Sequence, residues 1–252
     1  MRMTCHLMSI QIYVMSKKDK IFERYEFKYI LDPVTYMKVR DFIDAIELSR
    51  DPNALSDVYT VTSLYFDTHG LDDYYDKAGG FLSRKKTRVR IYGSGVDDST
   101  TEVHLELKNK HDMFISKDKI HIPIAQWQAF LDGDNDILLN KFKVHLLDEG
   151  RVPTVMVRYD REAFEETFFD RVRVTFDRNI ELICGENLDS TMHDWHDIVP
   201  VSGMSTIMEL KFSGRLPWWF GFMLRKFDLR RSPYSKYAEA VDVAYKYNPL
   251  PR

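Results

Sequence analysis

An α+β fold built around a mainly antiparallel sheet of eight strands is what the sequence predicts, and two observations carry it. Short segments alternating between charged and apolar residues recur along the chain, and the helical segments are inserted between runs of strands instead of alternating strictly with them, which disfavours a doubly wound sheet. Five of those segments share one grammar: Arg24-Tyr25-Glu26-Phe27-Lys28, Arg88-Val89-Arg90, His104-Leu105-Glu106-Leu107-Lys108, Arg171-Val172-Arg173 and Met208-Glu209-Leu210-Lys211-Phe212. Successive side chains of a strand point to opposite faces, so each segment gathers its charges on one side. Five half-exposed strands with solvated outer faces would read the same way. The sharper reading turns the charged faces inward, into one tunnel for a polyanion.

Taken in order, a strand is expected over 21–30, followed by a helix opened by Asp32 as N-cap and Pro33 at the first helical position, with Val39, Phe42, Ile43 and Ile46 at helical spacing. A β-rich run covers 57–67, and Gly70 with the acidic segment 71–77 reads as a turn and short helix ended by Gly79-Gly80. Strands follow at 83–92, 101–110 and 113–121, then short helices from Pro123 and over 136–148, then strands at 153–161 and 170–180. The polar segment 185–204 reads as a loop; His193 and His196 within it are explained by solvation. A strand at 205–213, a tryptophan-rich helix from Leu216 to Arg230 and a last helix opened by Ser232-Pro233 close the chain. Residues 1–20 are expected to be a disordered leader and 21–252 a single domain.

Composition narrows the function classes. The chain has 252 residues and a formal net charge of −3, which argues against nucleic acid as a partner and requires any anion site to gather its cations locally. Cys5 and Cys184 are the only cysteines, too few for a disulfide framework and consistent with a reducing compartment. No uninterrupted apolar run is long enough to span a membrane, and the expected location is cytoplasmic. GxGxxG, GxxxxGK[ST], GxSxG and HExxH are all absent. What remains is Arg and Lys at period two. A chain of phosphates needs several cations converging on it, with guanidinium forks matching phosphate oxygens. A barrel supplies that convergence, since alternate residues of every strand project into its lumen. Carboxylates must balance so many like charges when no ligand is present, and Glu26, Glu106 and Glu209 lie two residues before Lys28, Lys108 and Lys211.

Lys28-Tyr29, Arg88-Val89-Arg90, Glu106-Leu107-Lys108, Tyr159-Asp160-Arg161, Arg171-Val172-Arg173, Glu209-Leu210-Lys211 and Ser235-Lys236-Tyr237, in that order, resemble the VTC domain, the polyphosphate polymerase domain of the vacuolar transporter chaperone family within the triphosphate tunnel metalloenzymes. The resemblance implies an eight-stranded antiparallel β-barrel tunnel with peripheral helices, in which ATP gives its terminal phosphoryl group to inorganic polyphosphate with Mn²⁺ or Mg²⁺ as cofactor. It implies phosphate ligands at Lys28, Arg88, Arg90, Lys108, Arg161 and Arg173, a phosphate-contacting hydroxyl at Tyr159, a further lysine at Lys117 or its neighbour Lys119, and Lys211 beside the metal carboxylate Glu209. Ser235 and Lys236 match the family's Ser-Lys pair at the start of the last helix. Arg88, Arg90, Lys108, Arg161 and Glu209 are the expected catalytic set. Two positions depart from the pattern: Arg24 replaces the first Glu of the Glu-x-Glu-x-Lys motif of hydrolytic relatives, and Pro233 replaces a basic residue. Hydrolysis of triphosphates in the same tunnel, or polyphosphate binding without turnover, are the competing functions. Membrane-bound relatives carry a separate transmembrane domain that is not encoded here, so a protein partner would be what recruits this chain to a membrane.

Overall fold

The computed structural model describes residues 24–52, 56–96, 101–111, 114–131, 145–146, 149–166, 172–184 and 197–247; the expected leader, most of the expected helix over 136–148, and His193 and His196 lie outside them. Among the described residues, ten strands and five helices form an α+β fold: β1 (Arg24–Leu31), α1 (Pro33–Ala45), β2 (Ser49–Arg50), β3 (Tyr59–Asp67), α2 (Asp72–Ala78), β4 (Ser83–Tyr92), β5 (Glu102–His111), β6 (Phe114–Pro123), α3 (Ile124–Leu131), β7 (Val152–Glu166), β8 (Val172–Cys184), β9 (Asp197–Pro200), β10 (Thr206–Ser213), α4 (Trp218–Lys226) and α5 (Lys236–Tyr247). Eight strands run in the order β1-β10-β8-β7-β3-β4-β5-β6, with β2 added on β7 and β9 on β8. The ladders are antiparallel.

The expected closed barrel is not confirmed, because among the described residues the sheet is not closed. Among the described residues β1 and β6 share no ladder, and the outer edge of β1 is taken at Lys28 and Tyr29. Tyr29 forms an isolated antiparallel bridge with Arg231, and the Ser232 N–H donates to the Lys28 carbonyl at 2.8 Å. That part of the edge is not available to a closing strand. The sheet curls nonetheless, far enough for Glu26 on β1 to accept a 2.8 Å hydrogen bond from Lys108 on β5.

Helices cover the convex face. Tyr29, Leu31, Phe176, Met208 and Leu210 pack against Val39 and Ile43 of α1 and Trp219, Phe220 and Met223 of α4. Leu64, Val89, Ile91, Val103 and Leu105 pack against Trp127 of α3. The N-terminus of α1 follows its sequence signal, the Asp32 carboxylate accepting from the Val34 and Thr35 amides at 2.9 Å. On the concave side, Tyr237, Ala240 and Val241 of α5 pack on Val61, Tyr65, Val157, Tyr159 and Ile207, so one end of the concavity is filled by this helix. Asp67, fully buried at the end of β3, accepts from the Asp73 and Tyr74 amides of α2 and from the Tyr237 hydroxyl of α5, joining both helices to the sheet.

Candidate functional site: a cationic concave face

Register decides which side chains meet. Lys28 stands opposite Glu209 and Glu26 opposite Lys211, and Lys211 in turn stands opposite Arg173. Arg161 lies opposite Tyr59 and Asp177; Arg88 lies between Tyr65 and Glu106, and Arg90 between Ser63 and His104. Lys108 faces Lys117. Directly opposed residues of an antiparallel ladder share a face, so these pairings collect Lys28, Arg88, Arg90, Lys108, Lys117, Tyr159, Arg161, Arg173, Glu209 and Lys211 on one side of the sheet, the concave one. Ser235 and Lys236 reach the same face from the start of α5. That helix does not begin at Ser232-Pro233 as expected: residues 231–232 are drawn onto the edge of β1, and Ser235 is the cap, its hydroxyl accepting from the Ala238 amide at 3.3 Å.

The charges are shared unevenly. Glu26 contacts Lys28 at 3.6 Å and Lys108 at 2.8 Å. Glu106 holds Arg88 at 2.6 Å through one oxygen and Lys117 at 2.8 Å through the other. Glu209 contacts Lys28 at 3.7 Å and Lys211 at 3.3 Å. Asp177 receives both fork nitrogens of Arg161, at 2.6 and 2.8 Å, and the Lys236 ammonium at 2.5 Å. Among the described residues Arg90, 5% exposed, donates only to neutral oxygens, Ser63 Oγ and Tyr159 Oη, both at 3.3 Å. Lys86 donates to Ser235 Oγ at 2.7 Å. Neither Arg90 nor Lys86 has a carboxylate partner among the described residues. Seven cations therefore share four carboxylates and two more have none, a formal surplus of five positive charges on a chain whose net charge is −3. Arg173 is set apart, paired with Asp51 at 2.5 Å and Glu165 at 3.2 Å.

Protonation equilibria report the same field. Burial pushes the Lys86 ammonium down, and Lys28 and Lys108 add to the effect, so it is held well below the ordinary lysine value. Burial pushes the Glu209 carboxyl up, but Lys211 and Lys28 outweigh it and hold it well below the carboxylate range. Burial likewise pushes the Glu106 carboxyl up, but Arg88 and Arg90 outweigh it and hold it below the carboxylate range. Burial alone would raise the Tyr65 phenol, yet Arg88, Arg90 and Lys236 bring it below its ordinary value. A buried tyrosine lowered in this way marks positive potential.

Sequence reasoning missed Lys86 and Asp177 as members of this face. The signal was present: Lys86 continues the alternation of Arg88 and Arg90 on β4, and Asp177 that of Arg173 on β8. Glu209 and Glu26, within hydrogen-bonding reach of each other, form a pair of hard oxygen donors; among the described residues no third ligating side chain joins them. Mg²⁺ and Mn²⁺ sites beside phosphates commonly use one or two carboxylates, with the remaining positions left to water and phosphate oxygen, and the donor chemistry fits that.

The family model described as the VTC domain matches residues 23–245, and the chain belongs to the VTC domain family. Solved structures that it resembles include a Hippeastrum protein assigned as an adenylyl cyclase and described as having a dominant triphosphatase activity (14% identity over 90% of this chain and 96% of that one, TM-score 0.47). The PH1819 protein of Pyrococcus horikoshii OT3 is similar at 13% identity over 87% of this chain and 99% of that one, TM-score 0.49. A Vibrio parahaemolyticus protein assigned as an adenylate cyclase is similar at 12% identity over 88% of this chain and 98% of that one, TM-score 0.47. No curated protein matches the chain.

Proposed function

We propose that this chain is a phosphotransferase that moves the γ-phosphoryl group of ATP onto inorganic polyphosphate held along the concave face, the face acting as the tunnel expected from the sequence. The surplus of cations over carboxylates carries the reading, with Lys86 and Arg90 left for a ligand to neutralise. Membership of the VTC domain family supports it. Arg88, Arg90, Lys108, Lys117, Arg161 and Lys236 line the phosphate chain and Lys28, Lys211 and Arg173 flank it. Tyr159 presents its hydroxyl next to Arg90, and the first amides of α5 add donors at Ser235.

The bond between the γ-phosphorus and the β,γ-bridging oxygen breaks, and its electron pair leaves with ADP. A terminal oxygen of the acceptor phosphate forms the new bond in line. That oxygen is already ionised, so no general base is required, and the protein's contribution is positioning and charge stabilisation. Each carboxylate that pairs two cations in the free protein gives way to phosphate oxygens as the chain enters. Mg²⁺ or Mn²⁺ held by Glu209, with Glu26 beside it, would supply further neutralisation of phosphate oxygens.

Incubating the purified protein with ATP and Mn²⁺ tests this. Long polyphosphate and ADP are expected. Orthophosphate in their place would make the protein a triphosphate hydrolase, and tight polyphosphate binding with neither product would make it a binding module. Substituting Arg90→Ala should lower turnover by about 10²-fold or more, the usual cost of removing one preorganised donor. Wild-type turnover in that variant would remove the assignment of the concave face.

A further inference from the structure

We propose that Glu102, His104 and His121 form a second metal site, for a zinc-class divalent cation, at the end of the concave face beyond Arg90. The three residues converge because β5 and β6 pair there: His104 lies directly opposite His121, and Glu102 is two positions from His104 on the same face of β5. Their ligating atoms all lie within 4.8 Å of one another. Glu102 Oε1 is 2.8 Å from His121 Nδ1 and 3.9 Å from His104 Nε2. Four ligands around a tetrahedral ion with bonds of about 2.0–2.1 Å stand about 3.3 Å apart. The observed separations fall on either side of that value, so a small closing movement of the exposed Glu102 and His121 completes the arrangement.

The independent pointer to a ligand is His104. Its residue is 7% exposed, yet among the described residues neither ring nitrogen makes a hydrogen bond, and Nδ1 is buried without any partner. Buried imidazoles ordinarily find partners for both nitrogens. Here Nε2 is aimed at the carboxylate, the His121 ring stands 4.4 Å away at 83°, and the Tyr92 ring packs edge-on at 5.1 Å. With Nε2 turned toward the Glu102 carboxylate and making no hydrogen bond among the described residues, the ring presents that nitrogen as a ligand.

Donor chemistry selects the ion. Two imidazoles and one carboxylate suit Zn²⁺ and its transition-metal neighbours, whereas Mg²⁺ demands oxygen. Glu102 and His121 are half exposed, which gives a path from solvent and leaves a position for water. Lys119 opposes a cation here, and the Glu102 carboxylate offsets it. Glu209 belongs to the distant β10 and is no part of this set, so the assignment is independent of the phosphotransfer reading.

The test uses the metal-stripped full chain. Titration with Co²⁺ should produce a tetrahedral ligand-field absorption band that saturates when one equivalent occupies this site and is bleached by Zn²⁺, and calorimetry with Zn²⁺ should resolve a matching one-site event separate from binding at Glu209 and Glu26. His121→Ala and Glu102→Gln, both at exposed positions, should each weaken Zn²⁺ binding at least tenfold and remove the Co²⁺ band, while Glu209→Gln keeps both. Absence of the band in the wild type, or wild-type Zn²⁺ affinity in His121→Ala and Glu102→Gln, would overturn the site.

Discussion

Lys86 is the side chain whose charge is least compensated. Its ammonium reaches a serine hydroxyl at 2.7 Å while Lys28 and Lys108 repel it, and it stands half-buried in a concavity open to water. A phosphate oxygen there would gain a charge-assisted hydrogen bond, worth about 1.5–3 kcal/mol, or roughly tenfold or more in affinity. Lys86→Met should therefore weaken tripolyphosphate binding by about tenfold or more in calorimetry and, by removing like-charge repulsion, raise the melting temperature of the free protein. Equal losses of both would show that Lys86 supports the fold and not the ligand. Because its pKa is depressed, wild-type binding should begin to decline with rising pH well before 10.5, and that early decline should vanish in the variant. At this scale the period-two charges were legible, but their partners were not. Spacing suggests that Glu106 serves Lys108; in the fold Glu106 serves Arg88 and Lys117, and Lys108 reaches Glu26. Ion pairs between distant strands depend on curl and register, which no local pattern encodes.

Among the elements, the two helices joined by Asp67 show what positions the site. This one carboxylate accepts from the amides at the start of α2 and from Tyr237 on α5, and α5 carries Ser235 and Lys236 to the cations. Asp67→Ala would leave several buried donors without an acceptor, each costing about 1–3 kcal/mol. We expect a loss of about 3 kcal/mol or more in denaturant unfolding, and weaker phosphate binding because α5 shifts; a change under 1 kcal/mol would contradict the role given to Asp67. Strands with strong alternation were read nearly residue for residue, β4 at 83–92 among them. β2 is two residues long, and β9 sits within a polar segment read as loop; both owe their pairing to β7 and β8. Ser232-Pro233 carries a genuine helix-start signal, outcompeted when 231–232 satisfy the open edge of β1.

For the whole molecule, the surplus on one face of a net acidic chain predicts both salt and pH behaviour. Polyphosphate affinity should fall steeply with ionic strength. Glu106, Asp177 and Glu209 all have carboxyl groups held below their ordinary values in the folded chain, Asp177 at about 2. The folded state thus binds fewer protons than the unfolded one as pH falls through the ordinary carboxylate range. Their contribution is complete above pH 4.5 and is lost below it. Their share of the melting temperature should hold level above that pH and drop beneath it. Glu106→Gln should melt lower than wild type at neutral pH, with the gap narrowing in acid; a constant gap would deny the linkage. The curled antiparallel sheet was legible from the sequence, while closure was not, because it turns on which segment claims the rim of β1. Among the described residues that strand pairs within the sheet only with β10, far along the chain. At synthesis rates of about 5–20 residues per second, β1 would leave the ribosome roughly ten seconds or more before its partner is made. Newborn chains must shelter a bare aromatic strand for that interval, so yield in cells should respond to chaperone supply more sharply than the finished protein's stability would suggest.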